Sequence, residues 1–136
     1  MKQLKFPKLV KEKKKKKKVK NERKLLVREL DKLVSKIVRR NTPYCVICAG
    51  TDRLQAGHLF SRSHYSMRWS FDNVFTQCSA CNLRHEYDPM PFYIWFIDTQ
   101  GLEKMVQVYN DWKQVSHFKT NDLRELYNKL LVEYGL

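Results

Sequence analysis

Between positions 22 and 40 apolar residues recur with the period of a helix. Leu26, Leu30, Leu33 and Ile37 follow one another at steps of four, three and four, and Val27, Val34 and Val38 widen the stripe. This predicts one amphipathic helix over 22–40. Arg39 and Arg40 sit in its last turn, where cations suit the helix dipole, and Asn41-Thr42-Pro43 ends it. Leu54 to Phe60 and Phe71 to Gln77 are two candidate strands joined by a polar loop, Ser61 to Ser70. A helix is expected to begin at Cys78 and stop near Asp88-Pro89. The rest reads as helical cover: an aromatic-rich helix after Pro91, a break at Gly101, then a face of Leu102, Met105, Val106, Tyr109 and Trp112. Thr120 or Asn121 is the expected N-cap of a last helix carrying Leu123, Leu126, Tyr127, Leu130, Leu131 and Tyr134. The aromatic residues read as core. The class is α+β, with a single domain over 21–136: helix 22–40, a central region 44–88 and cover 89–136.

Charge adds a second part. The net charge of +13 over 136 residues is concentrated at one end: residues 1–40 hold 18 Lys and Arg against 4 Asp and Glu, and residues 41–136 hold 9 against 10. Residues 1–20 therefore read as a disordered basic arm, because the run Lys13, Lys14, Lys15, Lys16, Lys17 and Lys18 repels itself and buries nothing. Such an arm attracts polyanions, with nucleic acid first among them. A membrane surface fits less well, because these lysines are not interleaved with apolar residues on one face. No stretch approaches the roughly 18 apolar residues of a membrane span, and no signal peptide is apparent.

Four cysteines form two C-x-x-C pairs, Cys45/Cys48 and Cys78/Cys81, with 29 residues between the pairs. In a reducing cytosol, the compartment expected for this protein, the pattern favours a metal over disulfides, with a secreted disulfide framework as the alternative. Two such hooks supply four thiolates to one tetrahedral Zn2+. A closed set of four sulfurs leaves no open coordination position, so this zinc is expected to be structural.

Any chemistry then has to come from other residues. His58, at a strand end, is the candidate to take a proton from water near neutral pH. Asn73 follows 15 positions later, where its amide can bond the backbone around His58. Asn82, His85 and Glu86 lie at i, i+3 and i+4 on one helix face, from which they are candidates to hold a metal opposite the histidine. Arg62 and Arg68, in the loop between the strands, are candidates to clamp a phosphate. His64 and His117 carry no functional reading.

The order C-x-x-C, Gly57-His58, Asp72-Asn73, C-x-x-C-Asn82 resembles the HNH (ββα-metal) nuclease motif on a treble-clef zinc scaffold. More narrowly, Gln55-Ala56-Gly57-His58-Leu59-Phe60-Ser61-Arg62-Ser63, with Arg68 and Asp72-Asn73 through Cys81-Asn82, is similar to the phage NinG/Rap recombination proteins. The resemblance is close over residues 40–100, and the lysine-rich start and helical tail also suit it. It implies a treble-clef hairpin plus helix, flanked by N- and C-terminal helices. It implies a structure-selective DNA endonuclease acting on branched recombination intermediates, such as Holliday junctions and D-loops, in the cytoplasm of a bacterial host. By motif position His58 is the general base, Asn73 orients it, and Asn82, His85 or Glu86 helps hold a catalytic Mg2+ or Mn2+. Many HNH enzymes carry Asp or His just before the base. Here that position is Gly57, which offers no ligand.

The rival reading is a non-catalytic zinc module that binds nucleic acid through the same knuckles and arm; an RNA-directed module is a third. The apolar stripe of helix 22–40 is expected to pack on its own domain, with a homodimer as the alternative.

Overall fold

The computed structural model describes residues 6–136, with side chains from Lys15 onward. In chain order it contains helix α1 (Phe6–Asn41), strand β1 (Leu54–His58), a short 3-10 turn (Tyr65–Met67), strand β2 (Val74–Cys78) and helices α2 (Ser79–His85), α3 (Met90–Gln100), α4 (Leu102–Lys113) and α5 (Thr120–Glu133). The class is α+β, with one small antiparallel sheet of order β1-β2. Among the described residues no helix is long and apolar enough to cross a membrane.

Helix α1 starts well before the expected position 22. Residues 1–5 of the expected disordered arm lie outside the described residues, and 6–20 are helical. Lysine is a good helix former, and once the buried turns further along are set, each added residue closes one more hydrogen bond without a new nucleation cost. Propagation from those turns outweighs the self-repulsion of the lysine run. The predicted stripe is borne out: Leu30, Leu33, Val34, Ile37 and Val38 are all buried. The helix ends at Asn41, where Thr42 N donates to Val38 O at 2.9 Å.

The chain divides into two units, residues 1–30 with 118–136, and residues 31–117. In the first, Leu30 and Leu123 are fully buried. Arg23 Nη1 donates to Phe118 O at 2.6 Å, and Arg124 pairs with Glu22. The cap of α5 is Lys119 rather than Thr120 or Asn121: the Asp122 carboxylate reaches back and accepts from Lys119 N at 2.8 Å, so the acidic residue in the first turn does the work expected of a hydroxyl or amide.

The second unit is built on the hairpin. Its register sets Leu54 opposite Cys78 and His58 opposite Val74. The strands are shorter than expected, because only Leu59 N to Asn73 O, at 2.8 Å, extends the pairing beyond His58. An isolated two-stranded hairpin is marginal in water. This one is held at several points. Thr76, fully buried, donates its hydroxyl to Val38 O at 3.0 Å, and Val46 N donates to Thr76 O at 3.0 Å. Phe75 meets Phe92, Trp95 and Phe96 edge-on, with centroids 5.0–6.0 Å apart. Leu59, Phe60, Met67, Phe92, Phe96 and Val108 form the core. Gly101 separates α3 from α4 at φ +88°, a conformation that suits glycine.

Gly57 is required for packing. A Cβ there would lie 1.8 Å from Gln77 Oε1 and 2.7 Å from Gln77 Cδ, and Gln77 is fully buried. Gly57→Ala is therefore expected to destabilise the fold by about 1–3 kcal/mol. Gln77→Ala in the same chain should relieve much of that strain, so the two changes should fail to add. Urea unfolding of the two single variants and the double variant measures this; additive losses would contradict the clash.

Candidate functional site

Two clusters of side chains stand out in the second unit. The first is the set of four cysteines. Cys45 and Cys48 lie in the turn before β1, Cys78 ends β2 and is the N-cap of α2, and Cys81 lies within α2. Their sulfurs all lie within 4.8 Å of one another, and Cys48 Sγ is 3.7 Å from Cys78 Sγ. Sulfurs bound to one tetrahedral zinc at about 2.3 Å stand about 3.8 Å apart, so the geometry fits. Gly50 N donates to Cys48 Sγ and Cys81 N to Cys78 Sγ, both at 3.4 Å. Burial raises the pKa of Cys45, but main-chain hydrogen bonds at Cys48, Cys78 and Ile47 outweigh it and bring the thiol down to about 7. Burial and then the neighbouring sulfurs push Cys81 the other way, well above an ordinary thiol. The four sulfurs are placed to hold a metal ion such as zinc.

The second cluster centres on His58. Its Nε2 lies 2.9 Å from Arg68 O. A carbonyl only accepts, so Nε2 carries the proton, and in the neutral ring Nδ1 keeps the lone pair. Burial lowers the His58 pKa, while the Arg68 carbonyl and the Asp31 carboxylate oppose the shift; the net direction is down. The imidazole is therefore neutral at pH 7, with Nδ1 as an acceptor.

Asn73 is fully buried. Its Oδ1 accepts from Phe60 N at 2.8 Å, and its Nδ2 donates to Phe60 O at 3.0 Å and Met67 O at 3.1 Å. It thus pins both ends of the loop that leaves His58, as expected of an amide bonding the backbone there, without touching the ring.

Arg68 differs from its expected role. Its Nε and Nη2 bond both oxygens of Asp31 at 2.9 and 2.6 Å, and its Nη1 donates to Arg62 O at 3.2 Å. Trp69 Nε1 also donates to Asp31, at 2.9 Å. Burial pushes the Asp31 carboxyl up, but these donors outweigh it and its pKa falls. Arg68 is committed to this partly buried pair rather than offered to a phosphate, and its main chain positions His58. Asp31 was missed because it lies 37 positions from Arg68 and no local pattern marks such a pair. Arg62 remains exposed.

His58, Arg62, Asn82, His85 and Glu86 line one cleft of about 980 Å³. Asn82 Nδ2 donates to Gln55 Oε1 at 2.9 Å, which leaves its Oδ1 as an acceptor. His85 is less available as a ligand than expected. Its Nε2 is 2.9 Å from Leu59 O, and its Nδ1 is buried without a hydrogen-bond partner among the described residues. Tyr93, Tyr109 and Trp112 complete the cleft. Sequence reading assigned them to the core, since spacing cannot separate a ring that lines a cleft from one that fills an interior. His64 also gains a role: it stacks on Trp112 with centroids 4.0 Å apart. Lys15, Lys16, Lys17 and Lys18 are exposed on α1, whereas the side chains of Lys13 and Lys14 lie outside those described.

No curated protein and no solved structure matches the chain. The family model described as Bacteriophage Lambda NinG protein matches residues 3–133. That match covers nearly the whole chain, including the cysteine cluster and the His58 cleft, and the protein therefore belongs to the NinG family.

Proposed function

We propose that this chain is an HNH-type, metal-dependent DNA endonuclease that hydrolyses phosphodiester bonds in branched recombination intermediates. In this reading the hairpin and α2 form a treble clef, Zn2+ bound by Cys45, Cys48, Cys78 and Cys81 is structural, and the protein works in the reducing cytoplasm of a bacterial host. The observation that carries the reading is the His58 imidazole, held through Nε2 by Arg68 O and lining a cleft shared with Arg62, Asn82 and Glu86.

The chain's own groups divide the work. His58 Nδ1 takes a proton from water as the water oxygen attacks phosphorus, and the P–O bond to the leaving sugar oxygen breaks. That oxygen is protonated from solvent, and the imidazolium returns its proton there too. Arg62 is the cation left to meet the phosphate once Arg68 is committed to Asp31. Asn82 Oδ1 and the Glu86 carboxylate are oxygen donors of the kind Mg2+ or Mn2+ prefers. When bound, such an ion supplies charge stabilisation to the phosphate. His85 would join them only by releasing Leu59 O. The exposed lysines of α1 suit backbone contacts that position DNA without reading its bases.

His58→Ala is expected to retain zinc and DNA binding while lowering cleavage of branched DNA about 10²- to 10⁴-fold. Equal cleavage by both proteins, with Mg2+ or Mn2+ present, would leave only the non-catalytic zinc module.

Asp31→Asn tests the support behind the base. It removes a negative charge that favours the imidazolium, so the His58 pKa should fall further and the acid limb of kcat/KM should move to lower pH. The plateau should also drop, because Arg68 loses its anchor. A profile shifted to higher pH, or not shifted, would show that Asp31 does not act through His58.

Cys81→Ser should lower bound zinc measured by elemental analysis, and with it the thermal midpoint. Loss of a structural site costs a large part of the roughly 10–16 kcal/mol that zinc binding contributes in small fingers. An unchanged metal content and midpoint would refute the four-sulfur site.

A further inference from the structure

The cleft has a second wall, which the hydrolysis proposed above does not use. Phe60 is its hub, with ring centroids 5.8 Å from Tyr93, 5.4 Å from Tyr109 and 5.8 Å from Trp112. Tyr109 and Trp112 lie 26° from parallel, with centroids 5.8 Å apart. Trp112 is fixed in place. Its indole N–H donates to Ser61 O at 2.8 Å, its carbonyl accepts from Ser66 Oγ at 2.7 Å, and His64 covers one face.

Tyr93 and Tyr109 are different. They line the cleft with His58 and Arg62, and neither hydroxyl has a hydrogen-bond partner among the described residues. Tyr109 is 41 % exposed. Lys113 Nζ lies over its ring, 4.6 Å from the centroid, which sets a mobile cation against the wall where a phosphate can draw it off the ring. A core aromatic needs neither an open ring nor a cation beside it. A ligand that is flat, aromatic and anionic matches all of these features, and a nucleotide is such a ligand. In a continuous duplex the base faces are already stacked on one another, so only an unpaired base can present one to this wall.

We infer that Tyr109, backed by Trp112 and flanked by Tyr93, stacks an unpaired DNA base beside the phosphate that meets His58 and Arg62, so that the cleft takes a single-stranded or splayed segment rather than intact duplex. This rests on the nuclease reading for the position of the phosphate, but the stacking itself can be measured without cleavage.

The test is fluorescence anisotropy on the full chain without added Mg2+ or Mn2+, with a single strand of about 12 nucleotides and a blunt duplex of similar length. Salt near 0.3 M suppresses the contribution of the lysine-rich helix. Tyr109→Ala is expected to weaken single-strand binding about 5- to 100-fold and duplex binding less than about twofold. Tyr109→Leu, which keeps an apolar partner for Phe60, should behave like the alanine variant, and Tyr109→Phe like the wild type. Independently of any variant, wild-type protein should quench 2-aminopurine placed in the single strand. Unchanged single-strand affinity, equal losses on both DNAs, or no quenching would each overturn the inference, and tighter binding to the matching RNA strand would overturn its assignment to DNA. A His58→Ala protein that still cleaves would sink the nuclease reading alone. Active cleavage with normal single-strand binding by Tyr109→Ala would sink the stacking wall alone.

Discussion

Four sulfurs confined within 4.8 Å of one another set the electrostatic condition on which the second unit depends. Ionising all four without a cation would place like charges almost in contact. A divalent ion bound there would resolve that repulsion, and would join three pieces of chain: the turn before β1, the end of β2 and the first turn of α2. Asn82 follows the last sulfur directly and Glu86 lies one turn beyond. Holding the cluster therefore holds the two side chains that share the cleft with His58. A hairpin of five-residue strands has too little surface to fix these positions by apolar burial alone.

The support behind His58 relies on polar pairing. Asp31 receives two bonds from one guanidinium and a third from Trp69, a geometry that defines direction as well as distance. Such a partly buried pair gains little net stability when intact, but loses much if one partner is removed. Its value here is positional, because Arg68 is the residue whose carbonyl holds the imidazole. Asn73 complements it by satisfying three backbone groups in a loop that has no ladder of its own.

How far these features were legible depended on their range along the chain. The stripe from Leu26 to Ile37, the two cysteine pairs and the helix after Cys78 all show as local spacing, and each was found near its place. The reach of α1 back to Phe6 was not, because propagation from a stable segment is a property of the whole helix. Asp31 and Arg68 meet only through the fold. Arg68 looked like a free cation because its partner was far away in sequence. The aromatic wall was hidden for another reason: Tyr109 and Phe96 are both aromatic residues in helical segments, yet one borders a cleft and the other is sealed within the core.

Both imidazoles in the cleft rest on main-chain oxygens, His58 on that of Arg68 and His85 on that of Leu59. Such an acceptor is present whatever amino acid occupies the position. The aim of each ring is thereby insulated from side-chain drift at its contact point and exposed only to changes that bend the loop. Mutational tolerance in this loop should follow backbone shape more than residue identity, and Asn73, which sets that shape, is where drift would be felt first.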